Sequence, residues 1–446
     1  MLTQAEAPSQ VGSPRVRKLP VSVLVGAVVL LLATGVRDAF AEGVVRDSIG
    51  PISSGRGGVN LGYADNLSLI NDNPSALARL EQFHLEVDLD FLKTDLNFEG
   101  SMGEDNAKDE LFVLPSLMAS WHVTKDPAPI TVGLGFFMPA GFGAEFDLEH
   151  PVFGKEKYFS QCALYKLLPS VGIDLGKGFS IGGSIGPALE QAEFEAPCTF
   201  KSGPLTGLPG LMDISADGLG YCWGLGVQYR PTDRWTFGIA YVSETRINLE
   251  GDFKLDLTGV PLPVPVPDTT AKYDLEMENT FPRSLGIGGS YRFDWGTVGL
   301  DALWFDWSSA FDALTFNLSN GDNPYFNAIT GPTCSDQFPL RWHDSYTIRV
   351  GSEVFLSPND TLRAGYIYIT NPVPDRTLTP LIPANLEHSF SLGYGHRFGP
   401  VSIDLAYQFS FGERQEVDES LVGPEFDDSS MLSMAHWFFL GAHMSF

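Results

Sequence analysis

The chain has 446 residues, with 55 acidic side chains against 28 basic ones and a formal net charge of −27. So acidic a surface disfavours nucleic acid, which needs a basic footprint. With 47 glycines, 32 phenylalanines and a mean hydropathy close to zero, the chain is rich in aromatics without being greasy throughout. That suits strands whose alternate residues face water, although an acidic secreted β protein shares the same composition.

At the amino-terminus, Arg15, Arg17 and Lys18 precede an apolar run from Val21 to Ala33, interrupted only by Ser22 and Gly26, and Ala39-Phe40-Ala41 follows as a small-x-small site. This is the pattern of a secretory signal peptide over residues 1–41, with the mature chain beginning near Glu42. The run is too short to span a bilayer. No later stretch supplies the ~20 consecutive apolar residues a membrane helix needs, so a membrane destination has to be reached through strands.

Residues 42–82 do not alternate. Ser53-Ser54-Gly55-Arg56-Gly57-Gly58 leads into Tyr63-Ala64-Asp65-Asn66, then Asn71-Asp72-Asn73-Pro74-Ser75-Ala76-Leu77-Ala78-Arg79-Leu80. Fourteen strand-like segments follow, at 84–98, 111–124, 130–138, 164–175, 179–192, 218–230, 235–248, 278–293, 297–307, 344–356, 361–370, 386–398, 401–412 and 433–446. In the first, Leu85, Val87, Leu89 and Phe91 alternate with His84, Glu86, Asp88 and Asp90, an aliphatic face for lipid and a carboxylate face for a watery lumen. Val401 to Phe411 repeats the scheme, and the last segment alternates up to Phe446, the carboxy-terminal residue. A strand closing on a terminal aromatic is similar to the last strand of bacterial outer-membrane barrels, where that end serves as an assembly signal.

The links alternate in length. Residues 125–129, 176–178, 231–234, 294–296, 357–360 and 398–400 are tight and rich in turn formers, whereas 99–110, 139–163, 193–217, 249–277, 308–343, 371–385 and 413–432 are long. Short turns at one end and long loops at the other predict an all-β, antiparallel transmembrane barrel of about 14 strands, with periplasmic turns and extracellular loops. Cys162, Cys198, Cys222 and Cys334 all fall on or near the loop side. In an exported protein they are candidates for two disulfides that staple loops, with three connectivities open and spacings too wide for a CxxC zinc site. No metal and no cofactor are expected.

Gly55-Arg56-Gly57-Gly58 followed by Asn73-Pro74-Ser75-Ala76, directly before a first barrel strand, resembles the hatch of the long-chain fatty acid and aromatic hydrocarbon transporter family (FadL/TodX type). The usual Asn-Pro-Ala is here Asn73-Pro74-Ser75. Phe281-Pro282-Arg283-Ser284, Asp306-Trp307-Ser308, Arg349-Val350-Gly351-Ser352-Glu353, Leu362-Arg363-Ala364-Gly365-Tyr366, Pro372-Val373-Pro374-Asp375, Asp404-Leu405-Ala406-Tyr407 and Met138-Pro139-Ala140-Gly141 are similar to further blocks of that family.

The resemblance implies a barrel over 83–446 plugged from within by residues 42–82, in the outer membrane of a Gram-negative bacterium. It implies passive transport of hydrophobic compounds, foremost long-chain fatty acids, with capture at the outer face and lateral release. Gly55, Gly57, Asn73 and Pro74 become hatch residues, Phe142, Phe146, Phe153 and Phe159 a capture groove, and Gly133, Gly135 and Pro139 a kink in the third strand. Arg246, Arg292, Arg349 and Arg363 are candidates to meet a carboxylate. The expected partners are the hydrophobic cargo, outer-membrane lipid and lipopolysaccharide, and the barrel-assembly machinery, around a monomer. The competing expectations are aromatic hydrocarbon uptake by the same route, or a surface adhesin or receptor-like barrel that uses its acidic loops. None of the eight histidines lies in a nucleophile-elbow or HExxH context, so catalysis is not expected.

Overall fold

A computed structural model describes residues 43–80, 82–124, 128–262 and 266–446; the expected signal peptide lies outside them. Fourteen staves form the wall: β1 (His84–Gly100), β2 (Leu111–Thr124), β3 (Ile130–His150), β4 (Gly154–Gly176), β5 (Phe179–Thr199), β6 (Pro209–Tyr229), β7 (Trp235–Val242 and Thr245–Asp256), β8 (Thr270–Phe281 and Ser284–Arg292), β9 (Gly296–Phe305), β10 (Ser345–Phe355), β11 (Asp360–Ile369), β12 (His388–Phe398), β13 (Val401–Phe411) and β14 (Ser429–Ser445). Each pairs antiparallel with the next, and β14 pairs with β1 from His84↔Ser445 to Glu99↔Ser430. Closure leaves the ring without a sheet edge except where β2 parts from β3.

The alternation expected from sequence sets which way each stave faces. Val87, Ile185, Leu219, Ile287, Leu300 and Leu392 are exposed on the outer face, where a barrel meets acyl chains. The inner face differs from expectation. Glu86, Asp88 and Asp90, read as lining a watery lumen, are buried, because residues 43–80 fill the barrel against them.

β3 to β6 are 21, 23, 21 and 21 residues long, about 70 Å of strand at ~3.3 Å per residue, against an apolar band of ~25 Å. The surplus rises past the membrane as a crown on the long-loop side. A loop hairpin, Ala313–Ser319 with Cys334–Pro339, extends that crown by pairing with β8.

One place in the wall is unzipped. β2 and β3 pair only as far as Leu117↔Phe136, although β2 begins at Leu111, and the β3–β4 register slips between Phe137 and Ala140. Pro139 sits in that slip; lacking an N–H it cannot donate to a ladder, so a bulge there is its natural position. The freed edge of β3 is met from inside: Gly141 N–H donates to Val44 O and Arg46 N–H to Pro139 O, both at 2.9 Å, around a Val45↔Ala140 bridge.

Candidate functional site

The inner segment is built from three short helical pieces, Pro51–Gly55, Leu69–Asp72 and Pro74–Arg79. It sits on a belt of wall glycines. An added Cβ at Gly351 would lie 2.0 Å from Arg56 O, at Gly365 2.1 Å from Gly57 N, at Gly393 2.9 Å from Gly55 Cα and at Gly182 2.4 Å from the Pro74 carbonyl. No side chain fits at such separations, so backbone rests on backbone. Gly57, at φ +67°, adopts the left-handed conformation that lets the chain turn there. Asn73 Oδ1 accepts from the Ser75 hydroxyl (2.6 Å) and its amide donates to Leu61 O (3.2 Å), fixing the turn that Pro74 begins.

Charge clamps the segment in place. Arg56, fully buried, bonds Asp65 (2.5 and 3.0 Å) and reaches Glu353 of β10 at 3.2 Å, with its guanidinium 3.8 Å from the Tyr63 ring centroid. Arg46 pairs with Asp90 of β1. The N–H groups of Asn60 and Leu61 donate to Asp301 Oδ2 at 2.7 and 3.0 Å, and Asp47 accepts from Ser389 and Gln408 at 3.0 and 2.8 Å. Buried polar groups of this kind cost heavily unless paired, and the wall supplies the partners.

Above the hatch, on its crown side, lies a cavity of about 80 Å³ bounded by Val45, Arg46 and Leu61 below and by Pro139, Leu164, Lys166, Leu303, Phe305 and Arg349 around it. Lys166 points inward between Leu164 and Leu168, is 8 % exposed, and makes no ion pair or hydrogen bond among the described residues. It is paired in register with Phe137, the last residue before the bulge.

Further out, Phe200, Leu205, Phe253, Tyr273, Phe316, Leu318 and Phe338 line a mostly apolar pocket between loops, and Phe316, Phe338, Phe194, Ile214, Leu381 and Ile382 line a second one beside it. A wider groove on the crown is charged, and its lysines Lys157 and Lys254 are already paired with Glu195 (2.5 Å) and Asp213 (2.6 Å).

The predicted residues distribute unevenly over these features. Gly55, Gly57, Asn73 and Pro74 all lie in the hatch seat. Phe142 touches the inner apolar pocket only through Phe194, 5.9 Å between centroids; Phe146 packs between Phe98 and the loops, Phe153 stacks on His150 and Phe159 on Lys157. None of the four lines either apolar pocket. Of the kink candidates only Pro139 is in the slip: Gly133 and Gly135 lie in regular ladder, Gly133 making room for Ile70 and Leu77.

The four cysteines, expected as loop staples, form no disulfide in this structure. Cys162 and Cys222 sit on β4 and β6 with β5 between them; strands two apart are separated by about 9.5 Å, beyond disulfide reach. Arg349 borders the inner cavity, Arg363 is engaged by Glu353 and Asp404, Arg292 lies at the short-turn end, and Arg246 is exposed beside Glu244.

The nearest approach to a hydrolytic arrangement is Ser357, Asp360 and His396 at a short turn. There the serine hydroxyl (2.5 Å), the Tyr394 hydroxyl (2.6 Å) and His396 Nδ1 (2.7 Å) all converge on the aspartate. Serine bonds the acid and not the imidazole, the reverse of what an activated nucleophile needs.

A closed fourteen-stranded barrel with its own amino-terminal segment as plug and apolar pockets at its crown defines a plugged transport barrel of the bacterial outer membrane. The chain belongs to the outer membrane protein transport protein family (OMPP1/FadL/TodX), whose profile matches residues 53–446. Two long-chain fatty acid transport proteins, from Escherichia coli O157:H7 and Escherichia coli O6:H1, are each 24% identical to it, over 45% of this chain and 44% of the first and over 53% of both chains for the second. The chain thus spans about half the length of the curated relatives it matches. Its fold resembles a Pseudomonas aeruginosa FadL homologue (TM-score 0.75, 19% identity, 91% of this chain and 100% of that one) and the P. putida toluene transporter TodX (TM-score 0.72, 20% identity, 90% and 99%).

Proposed function

We propose that the protein carries hydrophobic molecules inward across the outer membrane by facilitated diffusion, and that its cargo is a long-chain fatty acid. The observation that carries the fatty-acid reading is Lys166, a buried ammonium with no partner among the described residues. It faces a small cavity lined by apolar side chains, by the cations Arg46 and Arg349, and by Asp47, Asp72 and Asp301, of which Asp47 and Asp301 already accept hydrogen bonds from the wall and the hatch. A carboxylate head there gains a charge-assisted bond. The acyl chain extends along the apolar side, each buried methylene contributing ~0.8 kcal/mol.

The cargo enters at the aromatic pocket of the crown, passes to the cavity, and leaves sideways where β2 has parted from β3. The Val44–Arg46 backbone, bonded across that opening, is the part that must yield. Two backbone hydrogen bonds at a net ~1 kcal/mol each, together with the buried Arg46–Asp90 pair, resist that movement. Capture by Phe200, Phe253, Tyr273, Phe316 and Phe338 also suits arenes, which favours aromatic hydrocarbons as the second cargo class.

The test is saturable binding and uptake of a fluorescent long-chain fatty acid by proteoliposomes, with toluene as competitor. Lys166→Gln is expected to weaken the fatty acid selectively. Equal loss for both ligands, or none for either, removes the head-group role, and a folded barrel that binds neither ligand turns attention to its acidic loops as a surface for other partners.

A further inference from the structure

Below the hatch, open to the short-turn end, lies a cavity of about 760 Å³. Six of the chain's 17 arginines line it, in a protein of formal charge −27. Two are neutralised by close carboxylates: Arg363 by Glu353 and Asp404 at 2.8 and 2.7 Å, and Arg234 by Asp294 at 2.9 Å.

Arg79 and Arg230 stand differently. Arg79 closes the last turn of the hatch and donates from Nη2 to Gly178 O at 2.7 Å; Arg230, just past the end of β6, donates its backbone N–H to the same carbonyl at 2.8 Å. Two cationic residues therefore converge on one turn from the two sides of the seam between hatch and wall. Arg79 Nε is buried without a hydrogen-bond partner among the described residues. The carboxylate beside Arg230, Asp233, is 3.8 Å away and fully exposed, a pairing of little worth. Burial, and then the charge of Arg230, hold the Arg79 guanidinium below its ordinary pKa against the opposing pull of the Asp174 carboxylate.

We propose that this seam is an oxyanion site, in which a phosphate or carboxylate group bridges Arg79 and Arg230 and locks the end of the hatch to the wall. The guanidinium fork matches such anions in geometry, and Arg79 has a donor to spare. Without the anion the two like charges press the hatch and wall apart; with it, both are drawn to one centre. Occupancy thereby tunes how readily the plug loosens, independently of which cargo passes above it. The group has two natural sources on that side, free phosphate in the periplasm or the phosphate of an anionic lipid headgroup.

The test is amide hydrogen exchange over residues 74–80 of the folded barrel. One arm adds inorganic phosphate in neutral detergent, against sodium chloride at equal ionic strength. The other places the barrel in nanodiscs of phosphatidylglycerol or of phosphatidylcholine, free of phosphate. Slowing of about three- to tenfold is expected in one arm or both, lost in Arg230→Gln and retained in Arg234→Gln, whose residue already has its carboxylate. Protection by phosphate in detergent identifies the free anion as sufficient; protection only in phosphatidylglycerol assigns the site to the headgroup. No slowing in either arm, or slowing that persists in Arg230→Gln, overturns the proposal. Arg230 is exposed and its backbone bond survives the substitution, so the variant is expected to fold.

Discussion

The hatch seat and the crown are both buried, yet they are assembled from opposite materials. In the seat the wall contributes glycine backbone and charged groups, and directed hydrogen bonds and ion pairs join two separate parts of the chain beside apolar contacts such as Ile70 and Leu77 on Gly133. In the crown the pockets are lined mainly by phenylalanines, leucines and a tyrosine, with directed bonds such as Lys201 N–H to Asp336 at their rim. Directed polar contacts can be exchanged for water when the plug shifts, so a tight fit remains compatible with release, whereas a greasy, undirected surface accepts many apolar shapes.

Adding volume to the seat should break this contrast most sharply. Gly365→Val places side-chain atoms where Gly57 lies, with its first carbon 2.1 Å from the Gly57 nitrogen. Overpacking costs about 1–3 kcal/mol where a core can adjust, and here backbone opposes it. The expected outcome is an unseated hatch and a single-channel conductance rising from closed to porin-like, with Gly183→Ala, which meets Leu225 and the Gly224 carbonyl only at ordinary van der Waals distance, as the silent control.

Next in size is Arg56→Gln, which leaves Asp65 without its cation inside the plug while Glu353 retains Arg363. A loss of about 3 kcal/mol in local hatch stability is expected, read as faster exchange of residues 51–66 with the wall strands unchanged. Lys166→Gln is the sharper probe of the cavity: a loss of about 1.5–3 kcal/mol, ten- to a hundredfold in fatty acid affinity, with toluene unaffected.

The smallest effect belongs to the short turn that leads into β11. Hydrogen bonds from Ser357, Tyr394 and His396 hold the Asp360 carboxyl well below its ordinary pKa. A depressed carboxyl stabilises the folded state above its unfolded value, near pH 4, and that contribution is lost as pH falls further. Urea midpoints at pH 3 and pH 7 should therefore differ slightly less in Asp360→Asn than in the native chain.

Much of the wall was legible in the sequence, because lipid on one side and a polar interior on the other impose period two, and turn chemistry marks the short ends. Each predicted segment overlaps a stave. The lengths were not legible. β3 was read as ending at residue 138, yet it runs to His150, since Phe137 to Ala144 are all buried and leave no alternation to see. The hatch was recognisable through Gly55, Gly57, Asn73 and Pro74, whose backbone roles demand those residues. Its clamps were not, because Arg56 and Glu353, or Asn60 and Asp301, meet only once the barrel closes. Lys166 left a faint trace, a lone cation on the inner stripe of Leu164 and Leu168. The phenylalanines of the loop at 139–163 lie outside both apolar pockets, because aromatic content marks any packed loop as readily as a pocket.

The span of the hatch contacts also orders events in time. Arg56 bonds a residue 297 positions later, and Asp47 one 361 positions later. Loops of that length close slowly and bring no reward until they close. The first part of the chain to emerge is thus the last to find its partners, and the nascent wall must be laid down around an unseated, hydrated segment. A mutation in the seat is therefore expected to leave the rate of strand assembly untouched and to appear only in a late, separate step, when the finished barrel draws its own beginning inside.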